Sequence, residues 1–209
     1  MIRVLAFLAL VVGNHAVAAE PASRPDTDKG RSTATQVCAA CHGADGNSLV
    51  PVNPKLAGQI PDYLVKQMAN FKAAQGKQAE RSNPIMGGMV AGLSADDMRN
   101  IAAYYGGQQA KPGAARNKST LPLGQKLWRA GDAPKGIPAC AGCHGANGAG
   151  VPAQYPRLAG QFADYTDAQL KAFRTGARAN DANKVMRGIA ARMSDAEIAA
   201  VADYAAELR

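Results

Sequence analysis

The chain contains the stretch Cys38-Ala39-Ala40-Cys41-His42, and the same Cys-x-x-Cys-His spacing returns at Cys140-Ala141-Gly142-Cys143-His144. Together the two copies use all four cysteines of the sequence. The spacing is typical of covalent haem attachment, because the two thiols reach the two vinyl groups on one porphyrin edge while the neighbouring imidazole binds the iron. The sequence therefore predicts two covalently bound haem c groups, attached through Cys38, Cys41, Cys140 and Cys143.

Paired cysteines at this spacing also occur in zinc sites and in thioredoxin-like redox pairs, so these two chemistries are the alternatives. The histidine that follows each pair favours haem. Of the three histidines in the sequence, His15 lies in an N-terminal segment that we expect to be removed. His42 and His144 are then the predicted proximal iron ligands, and no histidine is left for the opposite face of either haem.

The first residues have the pattern of a secretory signal peptide, with Arg3, an apolar run over residues 4–12 and small residues at 16–19. We predict a signal peptide at 1–19. An uncleaved membrane anchor is the alternative, but the apolar run is shorter than the ~20 residues that a membrane-spanning helix needs. Export to the periplasm agrees with the cysteines, because haem attachment of this type takes place outside the bacterial cytoplasm.

Basic residues outnumber acidic ones by 24 to 16, which gives a formal net charge of +8. They are spread along the chain without the basic run that is typical of nucleic-acid binding. We therefore expect no nucleic-acid partner. A weakly basic surface can help docking on acidic redox partner proteins or peripheral contact with an anionic membrane surface, but a solvated face without a partner is the simpler interpretation. We expect a monomer.

The sequence contains an internal repeat, which predicts two similar domains in one chain. Residues 54–59, Pro-Lys-Leu-Ala-Gly-Gln, match residues 156–161, Pro-Arg-Leu-Ala-Gly-Gln, at an offset of 102. Further along the chain the offset becomes 100, which we attribute to a single two-residue insertion or deletion. Glycine, proline and polar residues between the repeats have the composition of a linker. The predicted organisation is a first domain at 20–106, a linker at 107–120 and a second domain at 121–209.

The repeat also predicts the distal iron ligand. Met86 and Met186 align with each other, each eight residues before a shared serine, whereas the other methionines near the haem motifs align with leucine or isoleucine. A thioether is a soft neutral ligand that favours ferrous iron, so coordination by histidine and methionine predicts haems of fairly high potential. Hydrophobic packing is the alternative role for both residues. The remaining methionines of this comparison are interpreted as core residues: Met68, Met89 and Met193.

Apolar residues recur at helical spacing in both halves, which predicts helices over residues 62–74 and 164–175. Ser94 and Ser194 each precede an acidic residue by three positions, which is the pattern of a capping box and predicts the start of the last helix of each half. These last helices are expected to pack against N-terminal helices over 29–37 and 124–129, where a glycine allows close approach.

With these features the chain resembles the class I cytochromes c, and its two-domain form is similar to the dihaem cytochrome c4 family. The likeness rests on both Cys-x-x-Cys-His motifs, on Pro-x-Leu-Ala-Gly twelve residues after each histidine, and on a methionine before a capped terminal helix. The resemblance implies an all-α fold, a tandem repeat of two class I cytochrome c domains that each wrap one covalently bound haem. It also implies that the carbonyl groups of Pro54 and Pro156 accept a hydrogen bond from His42 and His144 and orient the imidazole rings.

The resemblance further implies an electron carrier rather than an enzyme. Its electrons would come from a respiratory donor such as a bc1-type complex and pass to a terminal oxidase or another periplasmic acceptor. An alternative is the dihaem electron-accepting subunit of a flavocytochrome c-type sulfide dehydrogenase. The sequence has no flavin- or nucleotide-binding glycine pattern, so such catalysis would need a partner. A dihaem peroxidase needs an open iron position, and the methionine in each half argues against one.

We predict that Met86→Ala or Met186→Ala lowers the reduction potential of one haem selectively, because the ferrous iron loses its thioether ligand. The vacated position should then bind carbon monoxide. A redox titration followed by haem absorbance, with and without carbon monoxide, measures both effects. If both potentials stayed unchanged in either variant, the ligand assignment would be wrong.

Overall fold

The computed structural model describes residues 24–73 and 77–209. The predicted signal peptide lies outside these residues. Within them the chain is built from helices joined by turns, and its extended pairing is limited to two isolated β-bridges. No helix in this part of the chain is long and apolar enough to span a bilayer. The all-α class predicted from the sequence is confirmed.

The helices of the two halves follow one another in the same order. The first half contains α1 (Thr27–Thr33), a π-helical segment (Ala34–Cys38), α2 (Ala39–His42), α3 (Pro61–Phe71), α4 (Pro84–Val90) and α5 (Ala95–Gly106). The second half contains α6 (Leu121–Arg129), α7 (Ala141–His144), α8 (Ala163–Thr175), α9 (Val185–Ala190) and α10 (Asp195–Glu207). The helix predicted over 62–74 corresponds to α3, which ends earlier, at Phe71, and the helix predicted over 164–175 corresponds to α8.

Capping boxes begin the last helix of each half, α5 and α10. The hydroxyl of Ser94 accepts a hydrogen bond from the amide of Asp97 at 3.1 Å, and the Asp97 carboxylate accepts one from the amide of Ser94 at 2.9 Å. Ser194 and Glu197 repeat the arrangement at 3.3 and 2.8 Å. Each box satisfies two of the amide groups that a first helical turn leaves without partners. The predicted starts of both helices are confirmed.

The first and last helices of each half cross at a glycine. A methyl group on Gly30 would lie 2.0 Å from the carbonyl oxygen of Asn100, and one on Gly124 would lie 2.3 Å from the carbonyl oxygen of Ala200. Any side chain at these positions would push the helices apart, so only glycine permits this approach. The predicted packing of α1 against α5 and of α6 against α10 is confirmed.

The core of each half lies beside its helix crossing. The most deeply buried large side chains are Val90 and Tyr105 in the first half and Leu127, Trp128, Ile137 and Ile198 in the second. Of the methionines interpreted as core, Met193 is buried and Met68 is partly buried against the first core. Met89 is 47 % exposed, so its interpretation as a core residue is wrong. The reason is that α4 turns its neighbour Val90 inward instead.

The second half has a longer connection between its glycine crossing and its haem motif than the first. The extra residues form a short loop in which the backbones of Asp132 and Ile137 pair around a 3₁₀ turn at Ala133–Lys135. Lys135 forms an ion pair with Glu197 at 2.6 Å. This contact, together with the amide of Ser194, lowers the pKa of Glu197 to about 2. The loop is thereby tied to the first turn of α10.

We predict that Gly30→Ala and Gly124→Ala each lower the free energy of unfolding by about 1–3 kcal/mol, because the added methyl group must displace a backbone carbonyl in a packed crossing. Urea denaturation of the holoprotein, followed by circular dichroism, measures the loss. Gly92→Ala is the matched control, since nothing lies within 4 Å of a methyl group at that position. Crossing variants as stable as this control would contradict the close approach.

Candidate haem sites

Each Cys-x-x-Cys-His motif lies on a helical segment that ends directly after the histidine. His42 is the last residue of α2 and His144 is the last residue of α7. The next residues, Gly43 and Gly145, have φ angles of +81° and +82°. These left-handed angles favour glycine and stop the helix. In both halves a single local element therefore presents two thiols and an imidazole.

A proline carbonyl holds each of the two buried histidine rings. Nδ1 of His42 lies 2.8 Å from the carbonyl oxygen of Pro54, and Nδ1 of His144 lies 3.0 Å from that of Pro156. Because a carbonyl oxygen can only accept, Nδ1 carries the hydrogen and Nε2 keeps its lone pair. Burial lowers the pKa of both imidazoles, although the hydrogen bond to proline opposes this shift. Burial thus favours the neutral imidazole, which is able to bind a metal through Nε2.

None of the four cysteines of the motifs is paired in a disulfide. Burial raises the pKa of Cys38 and raises that of Cys140 to about 11. Cysteines that are not paired as disulfides remain available for bonds to a porphyrin. Four such thiols fit the covalent attachment of two haem groups, at two bonds per haem.

The two methionines that align in the repeat occupy equivalent places on short helices. Met86 lies on α4 and Met186 on α9, and both are half-buried. The amide of Met86 donates a hydrogen bond to the side chain of Asn83 at 2.9 Å, which caps α4. The Met86 side chain packs beside the cluster of Phe71 and Val90. The structure therefore holds the methionines on an element separate from the histidine and proline.

An open cavity of about 570 Å³ lies beside the second motif. Its apolar lining includes Ile137 and Pro138, which come just before Cys140, and Val185 and Ile189, which lie on α9 with Met186. The cavity is therefore bordered by the segment that leads into the cysteines and by the helix that carries the methionine. Apolar walls of this kind suit the edge of a porphyrin.

Two buried glutamines join the proximal segments of the two halves. The side chain of Gln59 donates to the carbonyl oxygen of Arg157 at 3.0 Å and accepts from its amide at 2.8 Å. Gln161 forms the equivalent pair with Lys55, at 2.9 and 3.0 Å. Lys55 and Arg157 directly follow the prolines that hold the histidines. The interface therefore lies one peptide unit away from each His–Pro contact.

Two buried arginines cross the same interface. Arg81 and Arg178 are 9 % and 7 % exposed. The guanidinium of Arg81 donates to the hydroxyl of Tyr165 at 2.9 Å, and that of Arg178 donates to the hydroxyl of Tyr63 at 3.0 Å. Two glutamines, Gln67 and Gln169, accept further hydrogen bonds from both arginines. This matched set holds α3 and α8 together across the interface.

Sequence analysis missed the two arginines because they align at neither offset of the repeat. The amide of Arg81 donates to the carbonyl oxygen of Asn70 at 2.9 Å, and the amide of Arg178 donates to that of Ala172 at 3.0 Å. Asn70 and Ala172 match in the repeat, so the arginines are structurally equivalent. The halves therefore differ by one insertion before Arg81 and another after Arg178, and the prediction of a single two-residue change is wrong. The signal that could have found them is the pattern Arg-x-Asn, which occurs as Arg81-Ser82-Asn83 and as Arg178-Ala179-Asn180.

Hydrogen bonds to both halves fix the path of the segment between them. The amide of Lys111 donates to the side chain of Asn47 in the first half at 2.8 Å. The amides of Arg116 and Asn117 donate to the carboxylate of Asp203, on α10, at 2.9 Å each. This segment is therefore held against both halves by hydrogen bonds. The exact bounds of the linker and of the two domains stay predictions.

Comparisons with known proteins identify the family. A family model for cytochrome c matches residues 27–105 and 123–209. The chain is 49 % identical over 181 residues to cytochrome c4 of Thiocapsa roseopersicina, and this match covers 86 % of the chain and 91 % of the relative. The chain belongs to the cytochrome c4 family. Its structure matches that of reduced recombinant cytochrome c4 from Pseudomonas stutzeri with a TM-score of 0.82 at 41 % identity, over 89 % of this chain and 100 % of that one.

A further relative has a different name. The thiosulfate dehydrogenase electron acceptor of Stutzerimonas stutzeri strain A1501 is 41 % identical over 185 residues, which is 87 % of this chain and 83 % of the relative.

Membership of the cytochrome c4 family confirms three predictions made from the sequence. The fold is a tandem repeat of two class I cytochrome c domains, the chain carries two covalent haem c groups, and it is an electron carrier rather than an enzyme. The role of each site residue stays a prediction.

We predict that Gln59→Ala and Gln161→Ala each lower the free energy of unfolding by about 1–3 kcal/mol, because each change leaves a backbone amide and a carbonyl of the opposite domain unpaired. Urea denaturation of the holoprotein measures the loss. Gln36→Ala is the matched control, since that side chain is exposed and donates to the hydroxyl of Ser32. Interface variants that matched the control in stability would contradict an interface held by these two glutamines.

Proposed function

We propose that each domain binds its haem through one Cys-x-x-Cys-His motif and one methionine. The proposed thioether bonds are made by Cys38, Cys41, Cys140 and Cys143, and the proposed axial pairs are His42 with Met86 and His144 with Met186. Pro54 and Pro156 orient the imidazoles. The observation that carries this proposal is that each histidine ring is buried and donates its Nδ1–H to a proline carbonyl, which leaves the lone pair of Nε2 for the iron.

These residues suit electron transfer without bond chemistry. The haem supplies a one-electron couple at its iron. If an imidazole and a thioether both bound the iron of each domain, no coordination position would be left for a substrate. The proline carbonyl raises the electron density of the imidazole, whereas the thioether favours the ferrous state. The outcome is a carrier of fairly high potential that exchanges electrons through its surface.

The interface supports electron exchange between the two haems within one chain. The segments that hold the two histidines are hydrogen-bonded to each other through Gln59 and Gln161. The linker is bonded to both halves, which keeps the sites together at high effective concentration. An electron accepted by one domain can therefore leave from the other without a second protein encounter.

The finer part of the proposal concerns the partners and the location. We infer that the protein is exported to the periplasm through its N-terminal signal peptide and takes electrons from a bc1-type respiratory complex. It passes them to a terminal oxidase or another periplasmic acceptor. The formal net charge of +8 supports docking on acidic partner surfaces and peripheral contact with an anionic membrane.

A second candidate donor is a dehydrogenase of reduced sulfur compounds. The relative named as a thiosulfate dehydrogenase electron acceptor favours thiosulfate dehydrogenase as the donor. The flavocytochrome c-type sulfide dehydrogenase considered from the sequence belongs to the same class of donor. In both cases the chain would remain the electron acceptor and its partner would carry out the chemistry.

The proposed coordination is tested by haem content and carbon monoxide binding of the exported holoprotein. We expect two haems per chain and a reduced spectrum that carbon monoxide leaves unchanged, because both iron atoms have two protein ligands. One haem that bound carbon monoxide would overturn the proposed ligand set in that domain.

The donor is tested by stopped-flow reduction of the same holoprotein. The three donors are a purified bc1-type complex with quinol, thiosulfate dehydrogenase with thiosulfate, and flavocytochrome c with sulfide. We expect reduction by the bc1-type complex to be the fastest and to slow with rising salt. Faster reduction by either sulfur enzyme would replace the respiratory donor with that enzyme.

A further inference from the structure

The two residues that follow the histidine-bound prolines differ in the use of their side chains. Lys55 and Arg157 hold matching positions in the repeat. Their backbone amides have equivalent partners, Gln161 and Gln59, at 3.0 and 2.8 Å. A functional difference between the two haem sites at this position must therefore arise from the side chains.

The Lys55 side chain donates hydrogen bonds to backbone carbonyl groups of the second domain and of the linker. Its ammonium donates to the carbonyl oxygen of Gly160 at 2.9 Å and to that of Lys111 at 3.4 Å. It also lies 4.9 Å from the centroid of the Phe162 ring, at the distance of a cation–π contact. The positive charge of Lys55 is thereby directed towards the second domain and the linker.

The Arg157 side chain has a donor without an acceptor. Among the described residues, Nε of Arg157 is the one buried side-chain nitrogen or oxygen that has no hydrogen-bond partner. Leaving a buried donor unpaired costs about 1–3 kcal/mol, and more when the group is charged. A guanidinium binds carboxylates in particular, because its N–H groups match the two oxygens. The site therefore lacks an anionic acceptor.

The protein does not supply this acceptor within the part of the chain that the structure describes. None of the ion pairs there involves Arg157 or the other basic side chains of the interface, which are Lys55, Lys66, Arg81 and Arg178. Arg81 and Arg178 are buried and the other three are half-buried, and placing such cations together without a counter-charge is unfavourable. The carboxylates that the bound cofactor brings are its propionates, and Arg157 is one residue away from the carbonyl that contacts His144.

We propose that Arg157 binds a propionate of the second haem through its Nε–H, and that Lys55 has no equivalent role at the first haem. This inference rests on the proposed attachment of the second haem at His144. Ferric haem carries one more positive charge than ferrous haem, so a guanidinium held beside the second haem disfavours its oxidation. Arg157 therefore raises the reduction potential of the second haem selectively.

The test is a spectroelectrochemical titration of the Arg157→Gln holoprotein. Glutamine removes the charge and keeps a side-chain N–H donor. At a fixed electrode potential we expect the ferric-to-ferrous ratio of the second haem to rise about tenfold, which corresponds to about 59 mV for a one-electron couple. The ratio of the first haem should stay at the wild-type value. Met86→Ala and Met186→Ala assign the two potentials, since each displaces one of them.

Two controls separate a local contact from a general charge effect. Arg129→Gln removes the same charge from an exposed position at the end of α6. Lys55→Gln removes the charge at the matching position of the first domain. We expect neither variant to change the reduction potential of the second haem selectively. If Arg157→Gln fails to accumulate, Arg157→Lys is measured in its place. We then expect a smaller decrease in reduction potential, confined to the second haem, because lysine keeps the charge without the Nε–H contact.

The proposal is overturned if both potentials are unchanged in the folded Arg157 variant with two haems, or if both shift by the amount seen with Arg129→Gln. Failure of the underlying ligand set would appear differently, as carbon monoxide binding by the wild-type holoprotein.

Discussion

The hydrogen bond from each histidine ring to a proline carbonyl couples the haem site to the rest of the molecule. It selects the tautomer that leaves Nε2 free, and it fixes the ring against the segment that follows the proline. That segment is also fixed by its own backbone, since in the first half the amides of Leu56 and Ala57 both donate to the carbonyl oxygen of Gly46. The next glutamine then reaches into the opposite domain. One short stretch in each half therefore orients the imidazole and builds the domain interface.

The interface is polar, and its specificity comes from reciprocal pairing. Matching glutamines exchange hydrogen bonds with matching backbone groups, and matching arginines donate to matching tyrosines. Two copies of one fold can meet in this way because residue i of one contacts residue j of the other, and the reverse also holds, as in a symmetric dimer. Buried polar groups are costly when unpaired. A slipped or rotated arrangement of the two domains would leave many of them unpaired, so the geometry is restricted to one.

The two domains depart from this symmetry in three places. Lys55 is engaged by carbonyl groups across the interface, whereas Arg157 keeps a buried donor without a partner. The second domain adds a loop that is pinned to α10 by the ion pair of Lys135 with Glu197. One insertion before Arg81 and another after Arg178 also change the length of the connections on either side of these arginines. A duplicated fold thus gives two similar sites with different electrostatic surroundings, which is what a protein needs if electrons enter at one site and leave at the other.

The sequence by itself determined the cofactor chemistry, the two-domain plan and most of the helices. Covalent attachment needs thiols and an imidazole at a fixed local spacing, and each capping box is likewise set by residues three positions apart. The glycine of each helix crossing is visible in the sequence, although the carbonyl group that it approaches belongs to the last helix of its half. The repeat added the alignment of Met86 with Met186, which predicts them as equivalent ligands. The tertiary structure alone decided the interface, the bound path of the linker, the exposure of Met89 and the equivalence of Arg81 with Arg178. The interface and the linker path depend on contacts between residues far apart in the chain, the arginine equivalence depends on backbone hydrogen bonds whose spacing differs between the halves, and the exposure of Met89 depends on which side of a short helix faces the core. None of these follows from local spacing.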